Sequence, residues 1–327
     1  MSGPSDSRHV VYVSLVGMAI CFGGTWPAGK VAAAHVAPAT VATARFAVAC
    51  VLLVIWARLR GRRIRFPARG ELPLVLAMGL TAVAVYNLCF LYGLRLAPAS
   101  DGSIIVPGLI PVLTTLLVWR LIGDRPGRST AIGFALALAG LVLVVDPVGG
   151  IDARRLTGDA ILMGAALSWA SYLMVARRAS THFDSITANV YLAGAGATLL
   201  LPLSFFGGGW GRLAGASGST WTAIAYLAVV GTVLGFVLFS EGVRIAGVAS
   251  TAAFTLLVPV FGVLGSVLVL GEPLRATLAA GGALVIAGLW FVHRPVTGGV
   301  RRYRSETPDR AEISAPVGDG HRQRHSG

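Results

Sequence analysis

The chain has 327 residues, a formal net charge of +13, 55% apolar residues and 13% charged ones. A soluble domain carries about twice that share of charge, and a water-soluble core of this size could not hide so much apolar surface. The mean hydropathy of +0.75 and repeated apolar stretches of about 20 residues make the bilayer the solvent.

In chain order, ten apolar segments are expected to cross it, at 10–33, 38–57, 72–94, 98–121, 129–146, 158–176, 186–206, 221–242, 247–270 and 275–293. Residues 1–9 form a short N-terminal stretch and 294–327 a polar, basic tail expected to be disordered. The first segment is too long for a signal-peptide core and reads as a retained span. It carries Trp26, Pro27 and the chain's only lysine, Lys30, among Gly23, Gly24 and Gly29. A proline inside a helix removes a backbone hydrogen bond, so a break is expected here. Cys21, Cys50 and Cys89 each lie inside an apolar stretch without a CxxC spacing, and read as small apolar fillers, not as a disulfide or metal set.

The basic residues orient the stack. With a cytoplasmic N-terminus, twenty fall on the inner side and six on the outer, with Arg45 inside the second segment. The positive-inside bias therefore predicts both termini in the cytoplasm of a multi-pass cell-membrane protein. The same scatter of arginines, in short clusters with no basic face, excludes nucleic acid as a partner.

Two parts of the chain repeat. Gly93-Leu94-Arg95 faces Gly242-Val243-Arg244 at an offset of 149, and Pro111 faces Pro259, Gly123-Asp124 faces Gly271-Glu272 and Gly140 faces Gly288 at 148. Trp26 and Trp169 match more weakly at 143. Each copy then holds five segments, an odd number, so the second must enter the membrane in the opposite sense. The expected fold is an all-α integral membrane protein of ten transmembrane helices arranged as two inverted five-helix repeats, 10–147 and 158–293.

These motifs resemble the drug/metabolite transporter superfamily, in its ten-span EamA-type branch. The matches are Phe22–Trp26, Arg45-Phe46, the Gly123-Asp124 and Gly271-Glu272 turns, and Leu167-Ser168-Trp169-Ala170 with Tyr172 and Arg177-Arg178. The resemblance implies a secondary transporter that exports amino acids, metabolites or drugs by alternating access.

Ionisable groups at membrane depth are candidates for function. Lys30 could face a substrate or snorkel to the outer interface. Arg45 could hold a carboxylate bidentately or brace neighbouring helices. Asp101, with Arg95 as its nearest plausible partner, could bind a proton or serve a helix N-terminus. Tyr86, Asn87, Ser168, Trp169 and Tyr172, with Trp26, offer the aromatic walls and few hydrogen-bonding groups that suit an amphipathic small-molecule solute. The alternative for each is helix–helix packing or the interface belt. The glycines of the fifth and tenth segments form small faces for packing, within the chain or in a homodimer. No Walker motif is present, and the six histidines form no catalytic set, so neither ATP hydrolysis, a cofactor nor an enzyme is expected. The competing reading is an importer or exchanger of a phosphorylated or nucleotide-linked solute, for which the core offers only Lys30 and Arg45.

Overall fold

The computed structural model describes residues 4–123, 125–145 and 152–293, and among them there are helices and connections but no strand. Asp124 and the tail 294–327, on which two of the expectations above fall, lie outside the described residues. The helices are α1 (Pro4–Gly23), α2 (Thr25–His35), α3 (Pro38–Leu59), α4 (Leu72–Leu96), α5 (Ala99–Ile122), α6 (Arg128–Val145), α7 (Ala153–Ala179), α8 (Ser185–Ser204), the short α9 (Gly209–Ala214), α10 (Gly218–Gly247), α11 (Ala253–Leu270) and α12 (Ala276–His293). Eight of them, α3 to α8 with α10 and α11, are long and apolar enough to cross a membrane. Large apolar side chains such as Val51, Leu121, Val142 and Leu268 stand exposed on the bundle's outside, where lipid replaces water.

The first apolar segment is broken as its glycines and proline predict, into α1 and α2 at Gly24. Pro27 has no N–H to offer the carbonyl four residues back. The carbonyls at the break find side-chain donors instead: the Thr25 hydroxyl donates to Phe22 O at 2.6 Å, and the Tyr226 hydroxyl to Cys21 O at 3.3 Å.

Two helices carry a π-helical stretch: α4 over Gly79–Val85 and α10 over Tyr226–Leu234. Such stretches widen the turn and upset the regular hydrogen-bond ladder. Polar side chains repair it. Asn87 Nδ2 donates to Val83 O at 2.9 Å, Ser168 Oγ to Thr81 O at 2.6 Å, and Thr232 Oγ1 to Leu227 O at 2.8 Å. The ends of α5 and α11 match too: each is capped by a glycine in the left-handed region, Gly123 at φ 87° and Gly271 at φ 66°, a conformation that only glycine enters cheaply.

Packing follows an exchange rule. Helix α3 lies against α8, and α6 against α12. Helix α7 packs on α4 and α5, while α1 packs on α10 and α11. The α6–α12 pair approaches closely at its glycines. A Cβ on Gly140 would stand 2.5 Å from Gly281 O, and one on Gly133 2.6 Å from Gly288 O, with each contact returned from the other side. The pairing of low numbers with high makes the two helices antiparallel. The small-residue faces expected on these helices are therefore spent inside the chain, and no dimer face needs to be invoked for them.

Candidate solute cavity

A cavity of about 780 Å³ opens among α2, α3, α4, α5, α7, α8 and α10 and runs down to Ser180, at the end of α7, and Ser185, the first residue of α8. Along it runs a chain of five rings, four of which line it, with Phe90 buried between Trp26 and Tyr86. Trp26 meets Phe90 edge-on at 5.1 Å between centroids, Phe90 stacks on Tyr86 at 5.9 Å, and Tyr86, Trp169 and Tyr172 follow at 5.1 Å steps. Trp26 is 3% exposed and packs where a Cβ on Gly102 or Gly262 would strike it at 2.9–3.0 Å.

Arg45 stands at the head of this cavity, 8% exposed. Its Nε donates to Thr232 Oγ1 at 3.0 Å and its Nη1 to Asn87 Oδ1 at 3.2 Å. Those two acceptors belong to the two π-helical helices, so one guanidinium ties both together. Its charge lies 4.9 Å from the Phe46 ring centroid. Among the described residues no carboxylate pairs with it: the salt bridges there involve Asp184, Glu71, Asp101 and Glu241. A buried cation held only by neutral groups is incompletely compensated.

The structure brings together Trp26, Arg45, Tyr86, Asn87, Trp169 and Tyr172 on one cavity. It does not bring the other three. Ser168 turns to the α4 backbone instead. Lys30 lies at the far end of the bundle, where Nζ donates to Ala97 O at 2.5 Å and it lines a separate cavity of about 500 Å³. Asp101 is also at that end, and its partner is not Arg95. Arg155 Nε reaches its Oδ2 at 2.7 Å and Arg275 Nη2 its Oδ1 at 2.9 Å. Arg95 donates instead to Ala33 O and Val36 O, the free carbonyls at the end of α2. Glu272, beside the Gly271 cap, accepts from Ala99 N at 2.8 Å and Ser100 N at 2.9 Å, closing the N-terminus of α5.

Sequence reasoning passed over Phe90, Thr232 and Asp159. Phe90 lies one helical turn beyond Tyr86, and Thr232 is a hydroxyl in an otherwise apolar run, so both had a readable signal.

The match to known proteins follows this geometry. The model of the EamA-like transporter family fits residues 10–146 and again 156–294, and the chain belongs to that family, whose members are transporters. It is 28% identical over 288 residues to "Uncharacterized transporter YyaM" of Bacillus subtilis (strain 168), covering 86% of this chain and 93% of that protein. It is 28% identical over 299 residues to the "Probable terminal-alkyne amino-acid exporter" of Streptantibioticus cattleyicolor, covering 91% and 97%. A solved crystal structure of a protein 22% identical in sequence superposes with a TM-score of 0.59 over 85% of this chain and 95% of the other. That likeness establishes the fold.

Proposed function

We propose that the chain is a ten-span exporter of a small amphipathic organic anion or zwitterion that carries a carboxylate on an apolar or aromatic body, an amino acid being the simplest fit. In this reading α1 with α2 forms the first span and α12 the last, and two inverted five-helix repeats, 10–147 and 158–293, alternate access to the cavity. The matched offsets, the paired π-helical stretches, the antiparallel α6–α12 contact and the exchange rule of packing all support that symmetry. The arginine census supports a reading with both termini in the cytoplasm, in which the cavity opens inward and the Asp101 end faces out.

One observation carries the substrate class. Arg45 is a buried guanidinium without a carboxylate partner among the described residues, set at the head of an aromatic cavity. An incoming carboxylate supplies the missing charge while the rings take the apolar body. The amino-acid exporter among the relatives agrees with this chemistry. A phosphorylated head would bring two negative charges to a single cation, and is disfavoured for that reason.

The test is flux in liposomes holding the purified chain, with labelled phenylalanine and its decarboxylated amine as paired probes. Phenylalanine should move and phenethylamine should not. Arg45→Met should cut phenylalanine flux by roughly tenfold to a hundredfold, the weight of a charged hydrogen bond of about 1.5–3 kcal/mol. Equal flux of acid and amine, or full flux in Arg45→Met, rules the assignment out.

A further inference from the structure

Asp159 is 1% exposed, and among the described residues neither of its carboxylate oxygens has a hydrogen-bond partner. It lies four residues after Arg155 on α7, the spacing at which an aspartate and an arginine share a helix face. Arg155 nonetheless turns away from it, to Asp101 Oδ2 and to Val144 O at 2.7 Å each. The groups around it are accounted for. From α5 comes Asp101, 0% exposed and holding both guanidiniums. From the chain leading into α12 come Arg275, committed to Asp101, and Glu272, whose oxygens accept from Ala99 N and Ser100 N. Lys30 of α2 donates to Ala97 O, Arg154 of α7 to Arg95 O, and Arg95 of α4 to carbonyls of α2 and its end. Two carboxylates and two arginines thus meet here, and both arginines serve Asp101.

A buried carboxylate that accepts no hydrogen bond, beside a second carboxylate that takes both nearby guanidiniums, is held more cheaply as the protonated acid. We infer that Asp159 is a proton-binding site whose occupancy is coupled to closure of the Asp101 end of the transporter. With that end shut, Arg155 belongs to Asp101 and Asp159 carries a proton. When the end opens, α7 parts from α5 and α12, water enters, Arg155 becomes available to Asp159 four residues on, and the proton leaves to the side on which the end opened. Closing takes one proton back. Apart from that proton, only hydrogen bonds and ion pairs change. Acid on that side therefore favours the closed end and alkali the open one.

The proton-binding half stands on Asp159 alone, and the coupling half rests on the alternating access proposed above, so two readouts separate them. The first is infrared spectroscopy of the purified full chain at neutral pH. A carbonyl stretch of a protonated carboxylic acid should be present in the wild type, absent in Asp159→Asn and weakened in Asp101→Asn, which releases Arg155 to Asp159. If Asp159→Asn does not fold, Asp159→Glu should shift the band. A wild type without the band, or a band unmoved by Asp159 substitution, overturns the site. The second readout is the accessibility of a cysteine introduced at Pro98, from the Asp101 side, as a function of pH on that side. The open-to-closed ratio should rise about tenfold per pH unit where one proton is exchanged, and lose that slope in Asp159→Asn. Accessibility that changes with solute but not with pH overturns the coupling and leaves the exporter reading standing. Accessibility fixed against both overturns the two together.

Discussion

The two ends of the helix bundle are held in different ways. At the Asp101 end, the charged side chains reach from one helix to another and are half-buried around a fully buried Asp101: Arg155 and Arg275 onto Asp101, Glu272 onto the first amides of α5, Arg95 onto carbonyls of α2. At the end where the cavity emerges, ion pairs are exposed and mostly local. Arg65 pairs with Glu71 six residues on, and Arg244 with Glu241 one turn back, while the bridge from Arg62 to Asp184 is long, 3.4 Å, and half exposed. Exposed pairs contribute little, whereas breaking a buried one is costly. The first end is therefore a latch, and the second an opening that can rearrange cheaply.

The largest effect should come from the latch. Asp101→Asn leaves Arg155 and Arg275 without their shared carboxylate and should cost about 3–5 kcal/mol of stability, read as a lower thermal midpoint in detergent. A midpoint within a degree of wild type would show that the two ends do not differ in this way.

At the other end, Trp169→Ala should leave the latch untouched. Trp169 joins two ring contacts of the cavity wall, each of order 1 kcal/mol. Solute half-saturation should rise about tenfold with a smaller change in maximal rate. Loss of rate at unchanged half-saturation would place Trp169 in the moving parts instead of the solute's wall.

Smaller again is Glu272→Gln. The amide keeps one acceptor oxygen for the α5 N-terminus but loses the charge and one of the two N–H partners, a loss of about 1 kcal/mol. Amide hydrogen exchange at Ala99 and Ser100 should accelerate, while exchange in α8 should not.

These contrasts were only partly legible beforehand. The helices followed from hydrophobic length, and the break at Gly24 from Pro27 and its glycines, because those are local causes. Six of the nine candidate residues reached one cavity because aromatic and amide groups in apolar helices have few places to go. The latch was not legible. Asp101 finds Arg155 and Arg275 at separations of 54 and 174 residues, and a sequence reading had only its neighbour Arg95 to offer. The π-helical stretches were hidden for a related reason: runs such as Gly79–Val85 are plain apolar sequence, and the close packing of that run on α8, where a Cβ on Gly79 would meet Ala195 at 2.7 Å, exists only in the folded chain. Asp159 escaped notice because its significance is a missing partner, which only three dimensions reveal.

The smallest predicted effect tests the cheap end. Arg65 donates from both terminal nitrogens to Glu71, at 2.8 and 2.6 Å, and Ala68 N adds a third hydrogen bond at 2.7 Å. The Arg65 hydrogen bonds first, and the Ala68 N–H after them, hold the Glu71 carboxyl below its ordinary value of 4.5. A carboxyl lowered on folding stabilises the fold above its unfolded value, and that contribution fades as pH falls through the lower, folded one. Glu71→Gln should therefore lower the thermal midpoint slightly at neutral pH, and the difference from wild type should shrink to nothing in acid. A difference that grows toward low pH would reverse the sign and remove the pair as its cause. A difference at neutral pH as large as that of Asp101→Asn would be more damaging, because it would mean that exposure does not discount the loop pair and that both ends of the bundle are latched alike.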